Sequence, residues 1–458
     1  MKKAHLLLVG VAAVAFAACP LAGASSAERG PSETDLALID GIMQLVEHDY
    51  VHKIDAHQLT KDALKGMMNR LDPHSDYMDE QEFKESQADI SGKFGGLGIE
   101  ISEQQGVPKI IAPIEGTPAS KAGLEPGDRI VAINGESTRG VDLQKIVRTL
   151  RGTPGTDVTI SIARGNQKPF DVKITRNIIQ VQTVKAKLEP HDIGYVRITE
   201  FGAATPKDFK HAIEKMKQQA GGKLNGFVLD LRNDPGGLLT SAVSVAGDFL
   251  NDGTVVTIHG RHKSDDEVYS AAKNGTLLPS GTPIVALING ASASASEIVA
   301  GALQDRKRAT IMGTQSFGKG SVQTIIPLNG HGALRLTTAL YYTPSGRSIQ
   351  GKGITPDVVV EAPKDEQVAG ELPREATLHG AFHNPGRLGG SDQEDQQTGA
   401  SGKNTNATEA KADLSAPIKP QLIATPKDAQ LKAALAFLEK KAGGTTAAQN
   451  GEANRKAN

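Results

Sequence analysis

The sequence is poor in three features that define common classes of protein. Its 458 residues contain one cysteine, Cys19, and lysine plus arginine nearly balance aspartate plus glutamate, 51 against 52. With no second cysteine, the chain forms no internal disulfide framework. The lack of a basic surplus argues against nucleic acid or a charged membrane surface as a partner. The apolar run from Leu6 to Ala18 is too short to cross a bilayer.

This apolar run is instead typical of a secretory signal. It follows Lys2 and Lys3 and precedes the small residues 22–24, which is the pattern of a cleavable signal peptide. We therefore expect residues 1–24 to be removed and the mature chain to be periplasmic or otherwise exported across the inner membrane. Cys19 lies in a weak lipoprotein-like context, and lipid anchoring at this residue is the alternative.

The most informative stretch of the chain joins a buried strand to a run of serines. Residues 283–290 are a short apolar run typical of a buried strand. Ser294 and Glu297 then form the S-x-x-E pattern that opens a helix. A serine at a helix start lies beside unpaired backbone N–H groups, such as that of Ala295, which can hold an oxyanion. This stretch therefore predicts a nucleophile site.

A serine nucleophile needs a base, and Lys319 is the residue that can provide it. It lies between two glycines in the Phe-Gly-Lys-Gly turn of residues 317–320, where the backbone can approach another segment closely. A lysine accepts a proton only if burial lowers its pKa from about 10.4. Gln323 could orient the amine without adding a charge. The pattern predicts a Ser-Lys pair.

The lysine turn also has a competing interpretation as a phosphate loop. Residues 313–319 fit G-x-x-x-x-G-K, but Gly320 stands where that motif needs serine or threonine. A phosphate loop opens a helix, whereas residues 322–327 are typical of a β-branched strand. The context therefore favours the Ser-Lys pair, and the sequence implies no metal or organic cofactor.

Residues 91–176 predict a separate recognition module. Gly96, Leu97, Gly98 and Ile99 resemble the carboxylate-binding loop and first strand of a PDZ domain. Successive backbone N–H groups in such a loop can bind a C-terminal carboxylate, and the following strand edge can bind an extended peptide. Residues 122–135, with the pattern A-G-L-x-P-G-D-x-I-x-x-I-N-G, support the assignment.

Together, the motifs A-S-A-S-A-S-E-I and Q-S-F-G-K-G-S-V-Q resemble the C-terminal processing, or tail-specific, serine proteases. The resemblance implies that Ser294 is the nucleophile, Lys319 the base and Gln323 the third member of the site. It also assigns the second oxyanion amide to Gly237, with Gly236 as the alternative, within the D-L-R-N-x-x-G-G segment that follows the apolar residues 226–229. Further family positions are a coupling arginine at Arg151 and supporting residues at Glu297, Asp305 and Ser316.

The whole chain is expected to be a multidomain α/β protein with an inserted module. The predicted parts are a helical arm (32–90), the PDZ-like β-rich module (91–176), a layered, crotonase-like α/β Ser-Lys protease domain (178–362), a disordered linker (363–425), a helix (426–442) and a disordered tail (443–458). His74, in a loop of the arm, is expected to be structural.

The implied activity is a serine endopeptidase that binds flexible C-terminal tails of proteins through the module and cleaves them. The helices at the two ends could support a homodimer or higher oligomer, and an adaptor protein is a further possible partner. Two other functions remain open: an inactive peptide-binding scaffold and a crotonase-like acyl-thioester enzyme.

Overall fold

The computed structural model describes residues 32–104, 106–114, 116–273, 275–368, 373–388 and 417–441. The predicted signal peptide with Cys19, and the predicted tail 443–458, lie outside these residues. Within them, helices and sheets combine into the multidomain α/β fold that the sequence predicts.

The N-terminal part begins with the helices α1 (Glu33–Asp49) and α2 (Ala56–Asn69). Ser32 caps α1, because the Asp35 amide donates to its hydroxyl at 3.1 Å and its own amide donates to the Asp35 carboxylate at 2.9 Å. The apolar residues Leu36, Ile39 and Ile42 of α1 are exposed. Across the described ranges, no helix combines the length and the apolar character that a membrane crossing requires.

The recognition module lies between two strands that pair with each other. The elements β1 (Asp76–Met78), α3 (Glu80–Ser91) and β2 (Lys93–Gly96) precede it, and β9 (Asn177–Gln180), which follows it, pairs with β2. The module itself contains β3 (Ile99–Gln104), β4 (Val107–Pro113), α4 (Pro118–Lys121), β5 (Arg129–Ile133), β6 (Glu136–Ser137), α5 (Leu143–Leu150), β7 (Asp157–Ala163) and β8 (Phe170–Thr175). The strand order β3-β4-β5-β7-β8 leaves β3 at an edge of the sheet.

The remaining elements form the protease part and follow each other along the chain. They are β10 (Val184–Glu189), β11 (Ile193–Ile198), α6 (Thr205–Gln219), β12 (Gly226–Asp230), α7 (Leu239–Gly247), β13 (Thr254–Gly260), β14 (Glu267–Ser270), β15 (Ile284–Ile288), α8 (Ala295–Asp305), β16 (Thr310–Gly313), β17 (Ser321–Pro327), β18 (Ala333–Tyr342), β19 (Val358–Val359) and α9 (429–441).

The central sheet has the order β10-β11-β12-β15-β16-β19 and is buried on both faces. Only the pair β10 and β11 is antiparallel. Successive side chains of a strand point to opposite faces. Ile284, Ala286 and Ile288 therefore pack with α6, α7 and α8, whereas Val285 and Leu287 pack against α9. This two-sided burial explains why residues 283–290 form a continuous apolar run.

A second sheet is formed by β1, β13, β14, β17 and β18, with β18 paired to β17, β13 and β1. The Lys319 turn leads directly into β17, and Tyr341 lies near the end of β18. The two sheets thus carry different halves of the predicted Ser-Lys pair: the serine follows a strand of the first sheet, and the lysine precedes a strand of the second.

Within the segment predicted as a disordered linker, 363–425, the structure describes residues 363–368, 373–388 and 417–425, and these residues make specific contacts. The Arg374 guanidinium donates to the Ser316 carbonyl at 3.1 Å, and the Asn233 side chain donates to the Ile418 carbonyl at 2.6 Å. The composition of the segment correctly indicates little apolar surface, but polar contacts with the protease part hold these residues.

The helix α9 packs against one face of the central sheet of its own chain. Its residues Leu431, Ala434 and Leu438 are buried. Before it, Asp428 accepts two hydrogen bonds, at 2.8 and 2.7 Å, from the fully buried Arg232 at the end of β12. The apolar side of this helix is therefore packed within its own chain.

Candidate active site

Ser294 occupies a sharp turn between β15 and α8. Its backbone has φ 54° and ψ −113°, a conformation that costs energy for a residue with a Cβ and is concentrated at functional sites. The strand, turn and helix around it have the arrangement of a nucleophile elbow. The Ser294 amide donates to Glu297 Oε2 at 2.8 Å, and the Glu297 amide donates to the Ser294 carbonyl at 2.8 Å. The predicted helix start at this position is confirmed.

The three serines of the run differ in what their hydroxyls do. Ser292 and Ser296 are fully buried. The Ser292 hydroxyl donates to the Leu231 carbonyl at 2.8 Å, and the Ser296 hydroxyl donates to the Asp234 carbonyl at 3.0 Å. Ser294 is partly exposed and lines a cleft of about 730 Å³. Its neighbours fix the loop, whereas Ser294 faces the space that a substrate could enter.

Lys319 lines the same cleft. Burial lowers the pKa of its ammonium below the usual value, against the raising effect of the Glu375 carboxylate. Arg335 also lowers the pKa, while Glu297 and Asp72 raise it. A lowered pKa increases the fraction of neutral amine, which is the form that can accept a proton.

Gln323, the predicted third member, also lines the cleft. Its side-chain nitrogen donates to the hydroxyls of Ser321 at 3.0 Å and Thr337 at 3.2 Å. Because these bonds commit the nitrogen, the side-chain oxygen is the atom that could accept a hydrogen bond from the lysine amine.

Glu297 connects the serine elbow to the lysine turn. It is fully buried, and this burial raises the pKa of its carboxyl to about 7. Besides the Ser294 amide, its oxygens accept from the amides of Gly318 at 2.8 Å and Lys319 at 2.9 Å, and from the Ser316 hydroxyl. One side chain thus fixes the backbone on both sides of the proposed pair, consistent with the supporting position that the family resemblance gives it.

Tyr341 is a second connection between the two segments, and it is not among the residues that the sequence motifs predicted. Its hydroxyl lies within hydrogen-bond distance of the Ser294 carbonyl, at 3.1 Å, and of the Lys319 carbonyl. Burial raises the pKa of this phenol well above its usual value, so it stays a donor. The available sequence signal was a tyrosine in a strand otherwise suited for burial, since a buried tyrosine hydroxyl needs a partner.

The glycine turn after β12 brings the backbone amides of Gly236 and Gly237 close to the Ser294 turn. The Gly236 amide, the alternative candidate for an oxyanion donor, already donates a hydrogen bond to the Asp234 carboxyl at 2.8 Å. Gly237 forms a parallel β-bridge with Phe201. In this bridge the Phe201 amide donates to the Gly236 carbonyl, and the Leu238 amide donates to the Phe201 carbonyl. The Gly237 N–H therefore points away from Phe201. Both Gly237 and Ala295 line the cleft.

The approach of this turn to the elbow requires glycine. A Cβ on Gly236, which has φ 105°, would lie 2.7 Å from the Ala293 carbonyl oxygen and 2.9 Å from Ala295 N. A Cβ on Gly237, at φ 139°, would lie 2.5 Å from the Phe201 carbonyl oxygen. Any larger residue would push the turn away from Ser294, so the sequence signal for this turn has a direct steric reason.

The predicted carboxylate loop of the module lies just before the edge strand β3. Leu97 is buried, and Gly98 has φ 78° with its carbonyl accepting from Ile114 N at 2.8 Å. In the described ranges, the amides of Leu97 and Gly98 have no backbone acceptor, while Gly96 and Ile99 end β2 and begin β3. Free amides beside a strand edge are the arrangement that binds a peptide C-terminus.

Arg151 caps the C-terminus of α5 and contacts residues near the cleft. Its guanidinium pairs with Asp89 of α3 at 2.9 Å and lies 4.2 Å from the centre of the Phe94 ring. Asp89 lines the same cleft as Ser294. The structure thus places Arg151 one side chain away from the cleft, while it also serves as the helix-terminal cation.

The described residues contain no group of three or more histidine, cysteine, aspartate or glutamate side chains that could hold a metal ion. The geometry that is present places a strained serine, a partly buried lysine and the residues Gly237 and Ala295 at one cleft, in a chain that also carries the PDZ-like module. This combination defines the class of serine peptidases of the Ser-Lys type.

Three family models match separate parts of the chain. Residues 192–360 match "Peptidase family S41", residues 109–164 match "PDZ domain", and residues 19–82 match "Activating protease CtpB N-terminal domain". The "Carboxy-terminal-processing protease" of Bartonella bacilliformis is 49% identical over 367 residues, which cover 80% of this chain and 83% of the relative. The chain therefore belongs to the carboxy-terminal processing proteases of peptidase family S41 and is a serine peptidase with a PDZ domain.

Two further similarities extend the comparison. The "Carboxy-terminal processing protease CtpA" of Bacillus subtilis is 35% identical over 342 residues, covering 74% of this chain and 72% of the relative. Among solved structures, a photosystem II D1 C-terminal processing protease is 28% identical with a TM-score of 0.42, covering 71% of this chain and 92% of that one. Family membership supports the protease function over the scaffold and acyl-thioester alternatives.

Proposed function

We propose that Ser294 and Lys319 cleave protein substrates whose free C-terminal tails are bound by the PDZ module. Neutral Lys319 accepts the Ser294 proton while Ser294 Oγ forms a bond to the substrate carbonyl carbon. The amides of Gly237 and Ala295 donate to the resulting oxyanion. The Lys319 ammonium then protonates the leaving amine, which departs as the C–N bond breaks.

The second half of the reaction releases the product and restores the enzyme. Water attacks the acyl-enzyme and gives a proton to Lys319, the Ser294 ester bond breaks, and the proton returns to Ser294. Gln323 orients the amine through its side-chain oxygen. The observation that carries this mechanism is the shared cleft, since Ser294, Lys319, Gln323, Gly237 and Ala295 all line it.

Tail binding is proposed for the loop Gly96–Ile99 of the module. The support is the pair of amides without backbone acceptors, at Leu97 and Gly98, beside the edge strand β3. Arg151, through its ion pair with Asp89, would transmit the state of the module to the cleft. Export by the predicted signal peptide, homo-oligomerisation through the N-terminal helices and an adaptor protein are further proposals that rest on the sequence pattern and the resemblance.

The three serines provide a matched test of the nucleophile. Ser294→Ala is expected to reduce hydrolysis of a peptide substrate by at least about a thousandfold while the thermal unfolding temperature stays close to wild type. Ser292→Ala loses two buried hydrogen bonds, the one that its hydroxyl donates to the Leu231 carbonyl and the one that it accepts from the Asn289 amide, and Ser296→Ala loses one. Each lost bond costs about 1 kcal/mol of stability, and both variants should retain most activity. Equal loss of activity in all three variants would overturn the assignment of Ser294.

Carboxylate docking is tested with two versions of one peptide. The free-acid peptide should be cleaved faster than its C-terminally amidated twin, because only the former can accept hydrogen bonds as a carboxylate. A serine-directed acylating probe, measured in parallel, reports whether Ser294 itself stays reactive. Equal cleavage of both peptides would remove tail docking from the proposal and leave the peptidase chemistry intact.

Labelling separates docking from coupling in two variants of the module. In Gly98→Trp, a larger residue collides with Thr117, since even a Cβ would lie 2.4 Å from its Cβ. Slower tail cleavage with normal labelling of Ser294 is the expected result for loss of docking. In Arg151→Ala, loss of both cleavage and labelling is expected if the module controls the cleft, and normal labelling would contradict the coupling role.

A further inference from the structure

Glu375 is a buried carboxylate for which the proposed chemistry has no use. It lies in the 3-10 turn Glu375–Thr377, outside the residues 192–360 that match the peptidase family model. The residue is fully buried. Its Oε2 lies 2.8 Å from His74 Nε2, and its Oε1 accepts from the Gln350 side-chain nitrogen at 2.8 Å. A buried charge with such specific partners is expensive to maintain, which suggests that the arrangement has a use.

Glu375, His74 and Gln350 form a cluster, and one side of this cluster contacts the turn that carries Lys319. The Gly320 amide, next to Lys319, donates to Gln350 Oε1 at 2.9 Å. The backbone of the Glu375 turn contacts the residue at the other end, since Glu375 N donates to the Phe317 carbonyl at 3.3 Å. Glu375 and its partner Gln350 thus hold the Lys319 turn from both ends.

The other side of the cluster reaches the proposed third member of the site. The His74 amide donates to Asp72 Oδ1 at 2.8 Å, and the Thr337 hydroxyl donates to the same oxygen at 3.0 Å. Thr337 in turn accepts from the Gln323 side-chain nitrogen at 3.2 Å. The contacts therefore run from Gly320, through the His74–Glu375 pair, to Gln323, and they bracket Lys319.

The cluster also has an electrostatic consequence for Lys319. Glu375 is the charge that acts most strongly on the Lys319 ammonium and raises its pKa, in opposition to the effect of burial. The other charges that act on Lys319 are Arg335, which lowers the pKa, and Glu297 and Asp72, which raise it. His74 is the ionisable partner of Glu375 and also contacts Asp72.

We propose that His74 and Glu375 are a paired set of positioning residues for the base: they fix the Lys319 turn, and Glu375 sets a buried negative charge beside it. The proposal rests on the proposed role of Lys319 as the general base. It gives the loop before β1 and the turn at Glu375 an indirect part in the reaction, since neither contacts the reacting atoms.

The pH dependence of kcat/KM tests this pair, because its acidic limb reports the proton lost by the base in the free enzyme. A quenched-fluorescence peptide with a free apolar C-terminus serves as substrate. Glu375→Gln keeps the shape but removes the charge, and should move the acidic limb to lower pH by about one unit. His74→Gln replaces the ring that contacts Glu375 Oε2 but keeps the Glu375 charge, so kcat/KM should fall while the acidic limb moves less than in Glu375→Gln.

Exposed residues supply the matched controls. His379→Gln, in the same segment as Glu375, and Glu361→Gln should leave the limb at its wild-type position. If His74→Gln does not fold, Glu375→Gln alone still measures the effect of the charge. The fraction of native enzyme in each preparation is obtained from labelling of Ser294 by an acylating probe.

The outcomes separate this proposal from the one on which it rests. An acidic limb at lower pH in Glu375→Gln, together with a lower kcat/KM in His74→Gln, supports the positioning pair. Lower kcat/KM at every pH in both variants, with the limb unmoved in Glu375→Gln, would show that the residues are only structural and would overturn it. Full activity of Lys319→Ala, or a wild-type profile without an acidic limb, would instead remove Lys319 as the base.

Discussion

The loop that carries Ser294 and the turn that carries Lys319 differ in the origin of the contacts that hold them. The serine loop is fixed by the end of the neighbouring strand β12, through bonds from Ser292, Ala293 and Ser296 to the carbonyls of Leu231 and Asp234. The segments that follow two adjacent strands of one parallel sheet, β12 and β15, supply both sides of these contacts.

The lysine turn instead depends on side chains from several separate segments. Glu297 comes from α8, Tyr341 from β18, Gln350 from the following loop and Arg374 from the segment 373–388. The difference teaches that the nucleophile is held by the architecture of the fold, whereas the environment of the base is assembled from distant parts of the chain. Substitutions far from Lys319 in sequence should therefore affect the base more than the nucleophile.

The sharpest test of the base is Lys319→Arg. A guanidinium keeps its positive charge and cannot accept a proton at working pH. We expect this variant to lose activity by at least about a hundredfold, to the level of Lys319→Ala. The rates are measured with one peptide substrate, and Lys352→Arg, in a nearby loop, is the control. A near-normal rate for Lys319→Arg would mean that the residue supplies only charge.

The connection between the two regions is tested next by Glu297→Gln. Each Glu297 oxygen accepts two hydrogen bonds, so an amide NH₂ group in place of either oxygen faces two donors. Each donor left without an acceptor costs about 1–3 kcal/mol. The expected result is a lower unfolding temperature and a loss of both hydrolysis and Ser294 labelling. The exposed Glu214→Gln on α6 should behave as wild type, and normal kinetics of Glu297→Gln would disprove its connecting role.

Tyr341→Phe should have a smaller effect and should separate base from nucleophile. The variant removes one donor from the carbonyls of Ser294 and Lys319, which costs about 1 kcal/mol of stability. Because the serine loop keeps its contacts with β12, labelling of Ser294 should fall less than kcat. Tyr342→Phe, at the next position of β18, is the control. Equal decreases in labelling and kcat would indicate that both regions depend on Tyr341.

The sequence predicted the features that depend on contiguous residues. The apolar runs at β12 and β15, the serine at a strand-to-helix turn and the glycine pair 236–237 each follow from local patterns, and the fold class is confirmed. The roles of Ser294 and Lys319 remain predictions that the geometry supports.

The environment of the base could not be predicted in the same way. Glu375 lies in a segment poor in apolar residues, which favours disorder, and its partner His74 is 301 positions away. Tyr341 has no distinguishing neighbour in sequence. These contacts depend on how separate segments pack, and no periodicity or spacing within one segment reports them.

The smallest expected effect concerns Asp234, whose carbonyl accepts hydrogen bonds from the loop that carries Ser294. This residue is fully buried, and burial raises the pKa of its carboxyl well above the usual value. Its Oδ1 accepts from Gly236 N, whereas its Oδ2 has no hydrogen-bond partner among the described residues. The folded state therefore retains a proton that the unfolded state releases above about pH 4, so stability falls as the pH rises.

Asp234→Asn should remove this dependence while its side-chain oxygen still accepts from Gly236. In thermal unfolding, the stability of the variant relative to wild type should increase as the pH rises from about 4 to 7. Asp305→Asn is the contrasting control: despite burial, hydrogen bonds from Thr343 and Ser345 and the Arg347 charge lower the Asp305 pKa, so that variant should lose stability at pH 7 and recover in acid. If the stability of Asp234→Asn relative to wild type instead falls at pH 7 and recovers in acid, as expected for Asp305→Asn, then Asp234 is ionised in the folded protein. A buried charge rather than a neutral acid would then hold the glycine turn after β12.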